Sequence, residues 1–205
     1  MCCAPVQAAN VNTVKAAIVK HSIEMGVDPA IALSIAKTES GFRHEARSSH
    51  GAVGVFQLMP STARRMGLNP YNLDDNIKGG IMYYKSMYKM FGSMELALAA
   101  YNAGPANVKK YRAVPPFSET RRFVAKITAD YKQYKAHPDP AMIAAKKPAT
   151  TAPKAISGAQ VIAQTPAIKA APLPMVKIEQ SRNLNAEFVK EVPMEVEVKS
   201  QSVAI

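Results

Sequence analysis

Thirteen of the chain's 14 aromatic residues lie within the first 135 positions; only Phe188 falls beyond them. This uneven placement bounds the fold more tightly than any other feature. Aromatic side chains bring the largest apolar areas, so a packed core belongs where they are. The stretch 138–174 is rich in Ala, Pro, Lys and Thr. It cannot bury enough apolar surface to offset the entropy of ordering, and reads as a flexible linker. From 175 to 199, Met175-Val176-Lys177-Ile178-Glu179 and Val192 to Lys199 alternate with period two. Disorder is the favoured reading there, with a weak strand pair or a docking peptide as alternatives. The expected organisation is an N-terminal segment over 1–11, one folded domain over 12–136, and a linker with a disordered tail over 137–205.

The folded part reads as helices. Val14, Ile18 and Met25 mark the inner face of a helix over 11–25, with Gly26 as its stop. Asp28 as N-cap and Pro29 in the first turn open a second, which runs through Ile31, Leu33 and Ile35 to Glu39 and stops at Gly41. Residues 43–58 read as irregular, and a short helix follows Pro60. Asp74 or Asp75 is expected to cap the next helix, with Ile77, Ile81, Tyr84, Tyr88 and Phe91 as its buried stripe. Ser93 caps another that ends at Gly104, and Pro105 opens a short one. Ser118 caps the last, with Phe123, Ile127, Tyr131 and Tyr134 on one face. No convincing strand pair occurs before residue 136, so the fold class is mostly α.

Charge narrows the partners. Lys and Arg total 26 against 15 acids, a net +11, and the first 135 residues carry +9 of it. Such a balance suits a polyanion: nucleic acid, anionic lipid or an anionic cell wall. The aromatic and basic residues around Tyr83–Lys89 are explained by a helical stripe, so nucleic acid is not the expected partner. No run approaches the roughly 18 apolar residues of a membrane span. The cysteines, Cys2 and Cys3, are adjacent and form no disulfide framework or zinc pattern. His21, His44, His50 and His137 have no metal-ligand spacing and are read as solvated or capping, so neither metal nor cofactor is expected. The start Met1 to Ala9 has no basic n-region and no adequate apolar h-region, so it does not read as a secretory signal.

One acid stands out. Glu39 ends an apolar helix, in Thr38-Glu39-Ser40-Gly41-Phe42. The helix dipole disfavours a carboxylate there, so its placement invites a chemical reason. A Gly-rich turn follows, Gly51-Ala52-Val53-Gly54-Val55-Phe56-Gln57-Leu58-Met59-Pro60. It is suited to form the opposite wall of a cleft. Breaking a glycosidic bond needs a proton donor for the leaving oxygen, and a carboxyl group serves when burial keeps it protonated.

Five segments in order carry a resemblance: Glu39-Ser40-Gly41-Phe42; Ser48 with Gly51-Ala52-Val53-Gly54; Gln57-Leu58-Met59-Pro60-Ser61-Thr62-Ala63; Ala97 to Pro105 with Ala100-Tyr101-Asn102-Ala103-Gly104; and Pro116-Phe117-Ser118-Glu119-Thr120-Arg121. Over about residues 12–134 the chain resembles the family-1, Slt-type lytic transglycosylases, whose catalytic domain is goose-lysozyme-like. The resemblance implies a mostly α, lysozyme-like domain that cleaves the MurNAc–GlcNAc bond of peptidoglycan glycan strands. It implies Glu39 as the single catalytic acid, with the substrate's own C6 hydroxyl attacking C1 to give a 1,6-anhydro end.

Carried position by position, the resemblance places Ser48 near the substrate's N-acetyl group or peptide arm. Gln57 and Met59 match cleft residues that bond to and pack on sugars. Tyr101 would bring its hydroxyl near Glu39. Asn102 fits a structural bond at a helix end, and Glu119 either an ion pair or a substrate contact. Tyr131 would reach the cleft, with core packing an equal alternative. The chain has Gly54-Val55-Phe56-Gln57 where the family usually has Gly-Leu-Met-Gln, and Phe123 where Tyr is common. Subsite shape is therefore its own. The alternatives to a transglycosylase are a goose-type hydrolytic muramidase and a non-catalytic wall-binding or virion protein of the same fold. A wall-cutting domain read as leaderless is expected to act in the periplasm or cell wall after delivery in a phage virion, or else after export by a non-Sec route. The tail would then meet virion or secretion-channel proteins.

Overall fold

The structure, a computed structural model, describes residues 10–146. The readings of Cys2, Cys3 and residues 1–9, and those of the linker and tail from 147 onward, lie outside the described residues. Eight helices follow one another among the described residues: α1 Val11–Glu24, α2 Pro29–Ser40, α3 Pro60–Arg65, α4 Leu73–Phe91, α5 Met94–Ala103, α6 Pro105–Tyr111, α7 Ser118–Ala136 and α8 Pro140–Lys146. The architecture is mostly α. Two isolated antiparallel bridges, Arg47 with Val53 and Val53 with Leu58, fold the loop between α2 and α3 onto itself.

Helix α2 is the axis of the domain. Every residue from Ala30 to Ala36 is buried, as befits a helix that is apolar all round. It packs against α1 and α7, while α5 joins α7 to α4. Its N-terminus is built as expected: the Asp28 carboxylate accepts a hydrogen bond from the Ala30 amide at 2.9 Å, and Pro29 fills the first turn. At its other end the amides of Gly41 and Phe42 turn back to the Lys37 and Ala36 carbonyls at 3.1 and 3.4 Å. Phe42 takes φ +68°, costly for a bulky side chain. Its ring is buried, with the Lys15 ammonium 5.0 Å from its centre.

Several details differ from the sequence reading. The α4 stripe buries Ile77, Ile81, Tyr84 and Met87, whereas Tyr88 is 48% exposed and Phe91 half-buried. Asn76, Gly79 and Gly80 are buried as well, so the inner face is centred to one side of Ile77 and runs to Met87, about three turns from Asn76, with Tyr88 at its rim. Asn72, rather than Asp74 or Asp75, caps α4, accepting from the Asp75 amide at 3.1 Å. The two aspartates fall in the first turn, which the dipole favours. Ser118 is the first residue of α7 and Phe117 its N-cap. On α7, Phe123 and Ile127 are buried as expected, but Tyr131 and Tyr134 are half-buried and Asp130 takes an inner position. His21 is buried, with its ring nitrogens 3.0 Å from Glu24 and 3.2 Å from Asp74, and so ties α1 to α4.

The folded domain also extends past the boundary placed at residue 136. Asp139 accepts from the Ala141 amide at 3.0 Å and from Lys15 at 2.8 Å, while Met142 is buried. These contacts seat α8 on α1.

The Asp28 end of α2 makes a pH-dependent contribution. Burial works to raise the Asp28 pKa, but bonds from Lys135 and the Ala30 amide, the Lys135 charge and the Tyr131 hydroxyl outweigh it. The carboxyl group therefore sits below its ordinary value of 3.8. A depressed acid stabilises the fold above its unfolded pKa, and that contribution fades as pH falls through the folded pKa. Asp28→Asn keeps a good N-cap and removes the charge. Its stability is expected to fall less than that of the parent as pH drops below about 4, measured by urea unfolding at stepped pH.

Candidate active site

The C-terminal turn of α2 carries Glu39, half-buried, between two residues that fix it. Ser40 is buried and donates its hydroxyl hydrogen to the Val55 carbonyl at 2.9 Å, joining the helix end to the opposite wall. Lys37, one position beyond Thr38, binds Asp130 of α7 at 2.7 Å. The helix end is thus held from two sides.

The wall is a compact loop. The Gly54 amide bonds to the Ala46 carbonyl at 2.9 Å, and Val53 and Leu58 exchange both backbone bonds at 3.0 Å. Gly54 takes φ +78°, and any side chain there would run into the carboxamide of Asn76. Asn76, wholly buried on α4, accepts from the Phe56 amide at 2.9 Å. It donates to the Val53 and Pro70 carbonyls at 2.9 and 3.0 Å. Gly80, one turn further along α4, leaves room for the Phe56 ring, which a Cβ would overlap. One helix side chain and one bare helix position therefore fix the backbone of the wall.

Tyr101, near the end of α5, closes the group. It is buried and donates its hydroxyl hydrogen to the Phe56 carbonyl at 2.9 Å. Its ring lies 5.1 Å from that of Tyr83 and stacks at 6.4 Å on Phe123. Burial above all, with the Glu39 charge and Tyr83 adding to it, holds the Tyr101 phenol well above the ordinary tyrosine range. It stays neutral, a donor throughout the working pH range. Tyr101→Phe leaves the Phe56 carbonyl without this donor. The expected loss is about 1–2 kcal/mol of stability, measured by chemical denaturation.

The other expected site residues are placed as follows. Gln57, buried and at φ +45°, donates its amide hydrogens to the Gly54 and Ala46 carbonyls at 2.8 and 3.2 Å. The Ser48 hydroxyl accepts from the Ala52 amide at 3.0 Å, inside the same loop. Met59, half-buried, is the N-cap of α3 where the wall ends. Asn102 accepts from the Thr120 hydroxyl at 2.7 Å, tying the end of α5 to the start of α7. Glu119, half-buried, is in the first turn of α7. Tyr131 is not brought to this group. Its hydroxyl donates to Asp28 at 3.3 Å. Asp28 caps the opposite end of α2, eleven residues or about 16 Å of helix from Glu39.

Ser40 and Asn76 were not among the residues read as forming the site. Ser40 follows the acid directly, so the signal for it was present. Asn76 shows no local signal, because its three bonds reach across to another segment.

The five aspartates of the described residues are all engaged elsewhere. Asp28 binds Lys135 at 2.9 Å, Asp74 meets His21, Asp75 accepts from the Asn69 amide, Asp130 holds Lys37, and Asp139 holds Lys15.

Known proteins of similar sequence and fold are transglycosylases. A transglycosylase of Enterobacteria phage PRD1 is 34% identical over 84 residues, covering 40% of this chain and 32% of the relative. The soluble lytic murein transglycosylase of Salmonella typhimurium is 32% identical over 137 residues, covering 54% of this chain and 21% of the relative. The chain thus spans about a fifth to a third of the length of these curated relatives. Among solved structures, an inactive mutant of the lytic transglycosylase Slt of Pseudomonas aeruginosa superposes with a TM-score of 0.54 at 31% identity, covering 62% of this chain and 25% of that one. Residues 16–124, more than half of the chain, match the transglycosylase SLT domain, and the chain belongs to that family.

Proposed function

We propose that the chain is a peptidoglycan lytic transglycosylase that cleaves the β-1,4 bond between MurNAc and GlcNAc and leaves 1,6-anhydro-MurNAc ends. One observation carries this reading: Ser40, the residue next to Glu39, and Tyr101 bond at 2.9 Å each to adjacent carbonyls of the glycine-turn wall, Val55 and Phe56. Acid, wall and aromatic group therefore meet at one place.

The chemistry follows from a single carboxyl group. Glu39, protonated, gives its proton to the glycosidic oxygen as the C1–O bond breaks. The resulting carboxylate then takes the proton of the muramoyl C6 hydroxyl while that oxygen bonds to C1. The acid is regenerated and no water is consumed. The usual pair of carboxyl groups at a defined separation is not needed, which agrees with the structural engagement of the five aspartates. Ser48, Gln57, Met59, Tyr101, Asn102 and Glu119 are proposed to shape the cleft, several of them by holding its backbone. The phage relative supports delivery in a virion for local opening of a host wall.

The test is digestion of purified sacculi with analysis of the released muropeptides by mass spectrometry. Products one water lighter than their reducing counterparts are expected. Reducing ends would make the protein a hydrolytic muramidase instead. No release by folded protein would overturn both activities.

A further inference from the structure

Two ion pairs grip the end of α2 that carries Glu39. Lys37 makes the first with Asp130 at 2.7 Å, and its ammonium lies 5.8 Å from the centre of the Tyr134 ring. The second begins on α1. The Lys15 ammonium binds Asp139 at 2.8 Å and stands 5.0 Å from the centre of the Phe42 ring. Tyr134 feels both pairs: burial first, then the charges of Asp139 and Asp130, push its phenol up to about 12. The side chains of Lys15 and Asp139 are only 21% and 7% exposed. An exposed pair contributes little, but losing one partner of a pair withdrawn from water leaves the other charge uncompensated. Lys15, Asp130, Tyr134 and Asp139 all fall outside residues 16–124, the part matched by the SLT domain. The family pattern does not account for them.

Phe42 is where the second pair meets the turn after Glu39. It follows the acid by three residues and takes φ +68°. A bulky residue keeps such an angle only where its surroundings over-determine it. Its amide reaches the Ala36 carbonyl at 3.4 Å, a long and weak bond, so much of the hold falls on the buried ring. A cation within about 6 Å of an aromatic face is attracted by the ring, more strongly where water is excluded. The same charge stands beside a helix C-terminus, where the dipole favours it. Asp139 fixes the ammonium from the other side. It is itself held at the start of α8, where it accepts from the Ala141 amide at 3.0 Å and Met142 is buried.

We infer that Lys15 is a positioning residue for Glu39: with Asp139 it fixes the turn at Phe42, and that turn sets how the Glu39 carboxyl group leaves α2. The inference rests on the reading of Glu39 as the acid. Ser40 ties the same turn to the wall at Val55, so the acid is held in register with the wall from both flanks. Reaction rate is sensitive to such placement, a shift of about 1 Å costing up to about a hundredfold. Neither Lys15 nor Asp139 belongs to the proposed cleft, so the effect falls on turnover rather than on substrate binding.

Kinetics on solubilised peptidoglycan strands and amide hydrogen exchange, both on the full chain, test this. Lys15→Met keeps the reach of the side chain and removes its charge. It is expected to lower kcat about tenfold with KM within about twofold of the parent, and to speed exchange of the Gly41 and Phe42 amides about tenfold. Lys15→Arg keeps the ion pair and the ring contact and should return both readouts to the parent's. Ile127→Val, a core change on α7, supplies the comparison for plain loss of stability; it should lower the melting temperature and leave kcat and these two amides unchanged. A kcat loss in Lys15→Met no larger than in Ile127→Val, a rise in KM in its place, or unchanged exchange at Gly41 and Phe42 would each overturn the assignment. Failure of the parent to cleave would count against the transglycosylase reading instead, and exchange would still decide whether Lys15 holds the turn.

Discussion

Glu39→Gln is expected to leave the protein folded and to lower release of muropeptides from sacculi by two to four orders of magnitude. General acid–base catalysis typically contributes about 10²–10⁴, and in the proposed mechanism the same group serves in both halves of the reaction. The amide has nearly the shape of the acid, but it neither donates a proton to the leaving oxygen nor accepts one from the C6 hydroxyl. Both losses fall on one variant, which places the effect toward the upper end of the range. The amide is neutral, as the protonated acid is, so the melting temperature should stay close to that of the parent. Activity and melting temperature measured on one preparation separate the chemical role from a structural one. Substantial activity in Glu39→Gln would remove this residue as the acid, whatever the fold.

The helical frame was legible in the sequence wherever local chemistry decides it. The pair Asp28-Pro29 announces α2, and its near-continuous apolar run announces a helix buried on all sides. Pro60 and Pro105 open α3 and α6 as their restricted φ allows. The same logic applied to Asp139-Pro140 would have found α8, which was hidden by the alanine- and proline-rich composition around it. The rest depends on neighbours. Whether Tyr88 or Met87 faces inward on α4 is set by the elements packed against that helix, and period alone leaves the choice open. Glu39 and the residues proposed to surround it were picked out mainly through family resemblance rather than through pattern. Even then, the turning of the Gln57 side chain onto the Gly54 and Ala46 carbonyls follows from loop closure, which no residue in the stretch signals alone. Tyr131 shows the converse: a position on the right helix, about 16 Å of α2 away from the acid.

Asn76→Ala is expected to cost about 3 kcal/mol of stability and to lower activity with it. Its carboxamide forms three bonds, all to backbone and all buried: one from the Phe56 amide and one each to the Val53 and Pro70 carbonyls. Val53 keeps the Leu58 amide as a donor, so the cost falls mainly on the other two groups, at about 1–3 kcal/mol each. A water entering the vacated polar space would return part of it. Against a typical total of about 5–15 kcal/mol the loss is large, and urea unfolding would measure it directly. The catalytic consequence runs through Phe56, whose amide Asn76 holds and whose carbonyl anchors Tyr101. Asn76→Asp separates bonding from bulk. It keeps the acceptor for Phe56 but, once ionised, sets a buried charge against two carbonyls and donates nothing. Burial raises the folded pKa of such an acid above its unfolded value, so the folded state binds more protons and stability falls as pH rises. The Asn76→Asp penalty should therefore grow between roughly pH 4 and 7, while that of Asn76→Ala stays level. Equal slopes for the two variants would mean that the donor bonds of Asn76 do not hold the wall, and that burial of the side chain alone does.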